Sequence, residues 1–288
     1  KIWILMLLLR SLPKKTKYRH GKTTYRHAKT WRYIVYDIIS QEMEGIRMIT
    51  YKVYSDIGNR EKNEDSVGNF HVNQRDIFVL ADGLGGHGRG EVASSKAIET
   101  ARDLTQLVGD SNADLLSDIF EEAQKRVMNI QEGTFANGMK TTLVALDICR
   151  DQIKWAHIGD SRLYYFQNCK LVERTLDHSV PQMLVLARKL KEKKIRGHED
   201  RNKLLRVIGS PWETKKYDCS EIINKNGFQA FLLCSDGFWE LIDEKAMTKT
   251  LKKSNSVDEW LDAMVEIVRQ NGKCTDMDNN SAIAVWVK

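Results

Sequence analysis

The sequence predicts an α+β protein in which antiparallel β-sheets carry α-helices on their outer faces. The apolar runs are short and end at glycine, aspartate or asparagine, which is typical of strands joined by turns and not of alternating β–α–β units. A few longer segments repeat their apolar residues at helical spacing, so each of them has one face to bury. With 42% hydrophobic residues the chain can build a sizeable core, which excludes a largely disordered protein.

The predicted strands follow one another along the chain. Ile49 to Tyr54 alternates between apolar and polar residues, as a half-buried strand does. The other predicted strands are Asp76 to Ala81, Thr141 to Ile148, Ile153 to Ile158, Ser161 to Phe166, Leu171–Val172, Phe231 to Cys234 and Ala282 to Val287. Successive strands separated by short turns favour antiparallel pairing.

Amphipathic patterning predicts four clear helices. They cover Glu91 to Leu107, Leu115 to Ile130, Asp243 to Leu251 and the segment after Ser256, where Ser256 and Glu259 have the spacing of a capping box. Val180 to Lys194 also has a helical pattern, but residues 189–196 are rich in lysine. We expect this stretch to project from the body as a solvated face or as a segment that faces the substrate.

The first 48 residues differ in composition from the rest. Residues 1–50 contain 11 Lys or Arg and three acidic residues, whereas the remainder contains 34 basic and 36 acidic residues. The net charge of +6 therefore belongs to this segment, and specific nucleic-acid binding is not expected of the body. We expect 1–48 to be a basic extension outside the fold and 49–288 to be the catalytic domain. The extension could be a membrane-surface anchor, a basic arm for polyanions, or sequence upstream of a start at Met48.

The cysteine content and the hydropathy indicate the compartment. Five cysteines without a C-x-x-C pair are typical of free thiols in a reducing compartment, and the seven histidines show no zinc-ligand spacing. No apolar run is long enough to predict a transmembrane helix. These observations predict a cytoplasmic protein.

Acidic residues recur where the predicted strands end. Asp82-Gly83, Gly159-Asp160 and Asp236-Gly237 each follow an apolar strand, and Asp278 precedes the last one. Strand ends at one edge of a sheet can converge, and clustered aspartates repel one another unless a cation neutralises them. An all-oxygen cluster suits Mg²⁺ or Mn²⁺. From spacing alone a metal cluster and ordinary Asp-Gly turns both remain open.

Six motifs in this order resemble the metal-dependent protein phosphatase 2C family, in its bacterial branch. They are S-D-I-G-N-R-E-K-N-E-D-S from residue 55, F-V-L-A-D-G-L-G-G-H-G-R-G-E-V-A-S from 78, T-T-L-V-A from 141, H-I-G-D-S-R-L-Y from 157, L-L-C-S-D-G-F-W from 232 and D-N-N-S from 278. The resemblance runs from about residue 51 to residue 288. It implies a four-layer α/β/β/α sandwich and hydrolysis of phosphoserine and phosphothreonine in proteins, which reverses a serine/threonine kinase.

The resemblance also assigns site residues. It implies two Mn²⁺ or Mg²⁺ ions and a third, more weakly bound one, with Arg60 as the group that binds the substrate phosphate. The metal-site residues that it implies are Glu64, Asp65, Asp82, Gly83, Asp160, Asp236 and Asp278. His87 is the nearest proton donor to the leaving oxygen in the motifs, although Leu84 replaces the histidine that eukaryotic members carry after Asp-Gly, and His87 could instead order the glycine loop.

Two other functions are weighed against this one. A catalytically inactive binding module would be expected to lose one of the aspartates Asp82, Asp236 and Asp278, and all three are present. An enzyme of the same fold that hydrolyses a different phosphoester stays open, because the metal site alone does not distinguish it. The partners that we expect are phosphoprotein substrates and a cognate kinase, and we expect the enzyme to act as a monomer.

Overall fold

A computed structural model of the chain describes residues 49–84, 89–109, 111, 114–134, 138–212 and 216–288. The strands are β1 (Ile49–Asp56), β2 (Asp65–Val72), β3 (Arg75–Leu84), β4 (Lys140–Thr141), β5 (Leu143–Cys149), β6 (Gln152–Ile158), β7 (Arg162–Gln167), β8 (Lys170–Arg174), β9 (Asp218–Cys219), β10 (Ile223–Asn224), β11 (Gln229–Cys234) and β12 (Asn280–Val287). The helices are α1 (Gly90–Val108), α2 (Leu115–Thr134), α3 (Val180–Leu186), α4 (Asp236–Trp239), α5 (Glu244–Lys253) and α6 (Val257–Gly272), with a 3₁₀ turn at Glu192–Lys194.

The strands form two antiparallel sheets. One sheet has the order β1-β12-β11-β7-β8, and the other has the order β10-β6-β5-β3-β2, with β4 paired to β3 and β9 paired to β6. Every predicted strand is present, which confirms the antiparallel prediction. The strand β2 was not predicted, because Gly68 and Asn69 interrupt its apolar pattern; it pairs along its whole length with β3.

Burial on both faces explains why the central strands are nearly continuous apolar runs. In β11, Phe231 and Leu233 point between the sheets, whereas Leu232 and Cys234 point toward the helices. The five-stranded sheet packs outward on α5 and α6, through Met247 and Trp260 among others, and the other sheet packs on α1 and α2. The result is the α/β/β/α sandwich that the sequence motifs imply.

The helix ends follow from local chemistry. Ser256 caps α6, because its hydroxyl accepts a hydrogen bond from the Glu259 N–H at 3.1 Å, and Asp243 caps α5 in the same way. The helix predicted for Val180 to Lys194 ends early, at Leu186, where the chain turns through Arg188 in the left-handed conformation (φ 59°). The segment does not project freely, since Ile195 is buried in the core beneath α5 and α6.

Within the part of the chain that the structure describes, no helix combines the length and the apolar character needed to cross a bilayer.

Candidate functional site

The acidic residues singled out in the sequence meet at one end of the sandwich. Asp82 lies near the end of β3 and Asp160 follows β6, so the seven-stranded sheet supplies these two. Asp236 follows β11 and Asp278 precedes β12, so the other sheet supplies the second pair. The cluster therefore belongs to both sheets. The strand ends had been expected to converge at one edge of a single sheet.

The carboxylates are close enough to disfavour one another's charged forms. Burial raises the pKa of Asp82 well above its ordinary value, and the charges of Asp65, Asp236, Asp160 and Asp278 raise it further. The pKa of Asp160 is raised by burial and then by Asp236. A compact group of acids in this state needs either protons or cations to neutralise it.

Asp65 joins this cluster through the pairing of β2 with β3, which places it opposite Asp82. Its Oδ2 accepts a hydrogen bond from Ser235 Oγ at 2.8 Å, but its buried Oδ1 has no hydrogen-bond partner among the described residues. Burial raises the pKa of Asp65 to about 7. A buried carboxylate oxygen without a donor is an oxygen that a cation could use.

The chain approaches itself too closely for any side chain to fit at two glycines, the predicted site residue Gly83 and Gly237, which follows Asp236. A Cβ at Gly83 would lie 2.4 Å from the Gly90 backbone, and one at Gly237 would lie 2.2 Å from the Asn279 carbonyl oxygen. Glycine is therefore required at both positions, whatever role the Gly83 carbonyl has.

The loop before β2 is held by Asn279, which was not among the predicted site residues. Asn279 Nδ2 donates to the carbonyl oxygens of Ile57 and Lys62, at 2.8 and 2.9 Å, and its Oδ1 accepts from the Glu64 N–H at 2.9 Å. This places Glu64 near Asp278, and burial followed by the charge of Glu91 raises the pKa of Glu64. In the sequence, the feature that could have identified Asn279 as a site residue is its position directly after Asp278.

Arg60 lies at the mouth of the cluster, where it contacts Asp278. Its Nε and Nη2 donate to the two carboxylate oxygens at 2.9 and 2.8 Å, and both side chains remain almost half exposed. This bidentate pair fixes the guanidinium plane beside the cluster. The predicted phosphate ligand therefore stands next to a predicted metal ligand.

A buried ion pair that the motifs did not indicate supports Asp160 and Asp236 from below. Arg162 donates to both oxygens of Asp177 at 2.7 Å, and its guanidinium lies 3.3 Å from the ring centre of Trp239. Trp239, in the same helical turn as Asp236, donates from Nε1 to the Asp160 carbonyl oxygen at 3.0 Å. One arginine thus positions the backbone that carries two acids of the cluster.

His178 also holds the backbone next to Asp160. Its Nδ1 accepts from the Gly159 N–H at 3.2 Å, and its Nε2 lies 3.3 Å from Asp218 Oδ2. Burial lowers its pKa to about 3, so the ring is neutral with its proton on Nε2. Although ligand atoms of His157, His178 and Asp218 lie within 4.8 Å of one another, these hydrogen bonds leave His178 no lone pair for a metal.

A cavity of about 270 Å³ opens beside the acidic cluster. Its lining includes Arg60, Arg196, Arg201, Glu240 and the two acids Asp236 and Asp278. Burial, assisted by the charge of Asp236, raises the pKa of Glu240 to about 7. Arginines beside clustered acids suit an anionic ligand that binds together with cations. The predicted proton donor, His87, lies outside the described residues.

Comparison with known proteins identifies the family. The family model described as protein phosphatase 2C matches residues 54–282. The serine/threonine phosphatase stp of Listeria welshimeri is 32% identical over 213 residues, which cover 72% of this chain and 84% of that protein. The chain belongs to the protein phosphatase 2C family.

Solved structures of serine/threonine phosphatases share the fold. The crystal structure of the serine/threonine phosphatase Stp1 from Staphylococcus aureus superimposes with a TM-score of 0.75 at 25% identity and covers 84% of this chain and 96% of its own. The catalytic domain of the phosphatase PstP, solved in complex with two manganese ions, gives a TM-score of 0.69 at 26% identity and covers 83% of this chain and 98% of its own. The metal content of PstP and the family membership support metal dependence for this chain.

Proposed function

We propose that this chain is a protein-serine/threonine phosphatase that hydrolyses phosphoserine and phosphothreonine in proteins with the aid of divalent metal ions. The observation that carries the proposal is the cluster of Asp65, Asp82, Asp160, Asp236 and Asp278 beside the arginine-lined cavity. The partners that follow are phosphoproteins and the serine/threonine kinase whose action the enzyme reverses. We also propose that the enzyme acts as a monomer.

The residues present fit a metal centre. Burial and the charges of neighbouring acids raise the pKa values of Asp82 and Asp236, so a cation bound among them would relieve their repulsion, and the buried Asp65 Oδ1 has no hydrogen-bond donor among the described residues. The donor set contains only oxygen, as Mn²⁺ and Mg²⁺ prefer. Asp82, Asp236, Asp278 and the Gly83 carbonyl would hold two ions, Glu64 and Asp65 would order their water, and Asp160 would hold a weaker third ion.

The metal ions and the protein side chains have different roles in the proposed mechanism. When bound, the ions supply a Lewis acid that lowers the pKa of water toward neutrality and offsets the charge of the phosphate. Arg60 binds the phosphate and orients it: Nε and Nη2 already hold Asp278, which leaves Nη1 for a phosphate oxygen. The carboxylates keep the attacking water in line, and His87 is proposed to protonate the leaving oxygen of the substrate.

A phosphopeptide assay tests the function directly. With Mn²⁺ present, the protein should release phosphate from a phosphothreonine peptide and leave the phosphotyrosine peptide of the same sequence largely intact. Omission of Mn²⁺ is the control for metal-independent hydrolysis. Hydrolysis of a small phosphoester without any hydrolysis of the phosphothreonine peptide would assign the site to another substrate.

Arg60 is expected to act mainly through substrate binding. Because a charge-assisted hydrogen bond contributes about 1.5–3 kcal/mol, Arg60→Ala should raise KM for a phosphopeptide about tenfold to a hundredfold, with a smaller effect on kcat. Arg60→Lys should restore binding only in part, since lysine lacks the planar fork. The variants should be compared by steady-state kinetics at saturating Mn²⁺. A KM equal to that of the unaltered protein would remove Arg60 from the phosphate site.

The proposal also covers the domain organisation and the cellular compartment. The described site residues lie between Arg60 and Asp278, and the family match begins at residue 54, which supports a catalytic domain of residues 49–288 and a basic extension of residues 1–48 outside it. All five cysteines are free thiols, which supports a reducing, cytoplasmic compartment.

A further inference from the structure

The exposed face of α5 carries four lysines that have no acidic partner in the part of the chain that the structure describes. Lys245, Lys249, Lys252 and Lys253 are exposed, and none forms an ion pair with any described residue. Several lysines elsewhere on the described surface do pair with acids, including Lys52 with Asp262 at 2.7 Å and Lys216 with Glu121 at 2.9 Å. The opposite face of α5 is packed in the core through Met247 and Leu251.

Helix stability accounts for only part of this charge. Lys252 and Lys253 lie in the last turn, where a cation complements the helix dipole. Lys245 lies in the first turn, where the same dipole disfavours a positive charge. Lys245 in the first turn and Lys249 one turn later therefore do not stabilise α5 through its dipole, which indicates that the basic face has a role other than helix stability.

These lysines line a groove between α5 and β8. The groove has a volume of about 570 Å³, and its other walls are Leu171, Thr248 and Glu244. Leu171 supplies an apolar patch, while lysine side chains present both methylene stems and charged ends. The groove can therefore accept an extended chain that carries acidic residues beside small apolar ones.

The lysine-rich segment 189–196 extends the basic surface. It is fixed at two points, since Glu192 accepts from Arg174 of β8 at 2.5 Å and Arg196 donates to Glu244 at the start of α5 at 2.7 Å. Lys191, Lys193 and Lys194 lie next to these two anchored residues in the chain, and all three are exposed.

The groove adjoins the catalytic cavity. Arg196 lines the cavity, Glu244 lines the groove, and these two residues are bonded to each other. A polypeptide whose phosphorylated residue enters the cavity can thus continue across this ion pair onto the lysines of α5.

We propose that the groove between α5 and β8 binds acidic residues of the phosphoprotein substrate, so that the enzyme favours phosphorylation sites followed or preceded by Asp and Glu. The proposal rests on the proposed phosphatase function and adds a substrate class to it. Opposite charge speeds encounter and selects among partners, and at an exposed surface it does so in a salt-dependent manner.

The test compares two phosphothreonine peptides of equal length, one with a run of glutamates and one with glutamines in their place. The charge-reversal variant Lys249→Glu/Lys252→Glu should lower kcat/KM for the acidic peptide about tenfold at low salt and leave the glutamine peptide unchanged. Lys125→Glu is the matched control, because Lys125 is also exposed but lies on α2, against the other sheet. Melting temperatures of all variants check that each is folded.

A binding measurement separates this inference from the phosphatase activity. A fluorescent, unphosphorylated glutamate-rich peptide should bind the unaltered protein by anisotropy without Mn²⁺, and binding should be lost in the double variant but kept in Lys125→Glu. Equal kcat/KM for the two peptides, or equal peptide binding by all variants, would overturn the proposal that the groove binds acidic residues. Tighter binding of a single-stranded oligonucleotide of the same charge would overturn the acidic-peptide assignment. Failure to hydrolyse even the glutamine peptide would instead refute the phosphatase function.

Discussion

Replacement of Asp82 by Asn is expected to abolish turnover of phosphopeptides, and Asp236→Asn should do the same. Both carboxylates lie inside the cluster, where burial raises the pKa of each and the charge of Asp236 also raises the pKa of Asp82 and of Asp160, so the site is built to hold positive charge. A neutral amide cannot offset a divalent ion, and its N–H groups would be directed at the other acids. Since loss of an outer partner of a metal ligand already costs about 10–100-fold, loss of the ligand should exceed about a hundredfold.

The measurement is Mn²⁺-dependent phosphate release together with calorimetric titration of Mn²⁺. Both signals should be lost in each variant, and EDTA should abolish the activity of the unaltered protein until Mn²⁺ or Mg²⁺ is restored. Asp262→Asn is the control, because this exposed aspartate of α6 contacts only Lys52 among the described ion pairs. Undiminished turnover in EDTA would contradict the metal-centre proposal.

The largest effect on stability is expected at Asp177. This carboxylate is buried and accepts hydrogen bonds from Arg162 and Arg174. Asp177→Asn would leave the buried Arg162 guanidinium without its counter-charge, which costs about 3–5 kcal/mol. For a domain of this size that corresponds to a loss of about 6–20 °C in melting temperature.

Asp103→Asn is a matched control for this prediction. Asp103 also accepts from two arginines, Arg102 and Arg126, but it does so on the surface. Exposed pairs contribute about 1 kcal/mol or less, so its melting temperature should fall by no more than about 4 °C. Equal shifts in the two variants would show that burial does not decide the contribution of such a carboxylate.

Several features of the fold could be predicted because they depend on local patterns. The apolar runs fix the strands within a few residues, and Ser256 and Asp243 fix the starts of α6 and α5 because a cap needs only its own turn. The helix expected up to Lys194 was wrong in its second half, because a left-handed residue at Arg188 and the burial of Ile195 outweigh the helical pattern.

The sequence by itself determined the strand-and-helix order, the family and the acids that gather at the strand ends, since each of these is written in short contiguous motifs. Only the tertiary structure decided that both sheets share the acidic cluster, that Asn279 holds a loop more than two hundred residues away, and that Arg162 and Asp177 support Asp160 from beneath. These contacts join side chains that are distant along the chain. Their partners are set by how two sheets pack and twist against each other, and no spacing within a motif records that geometry.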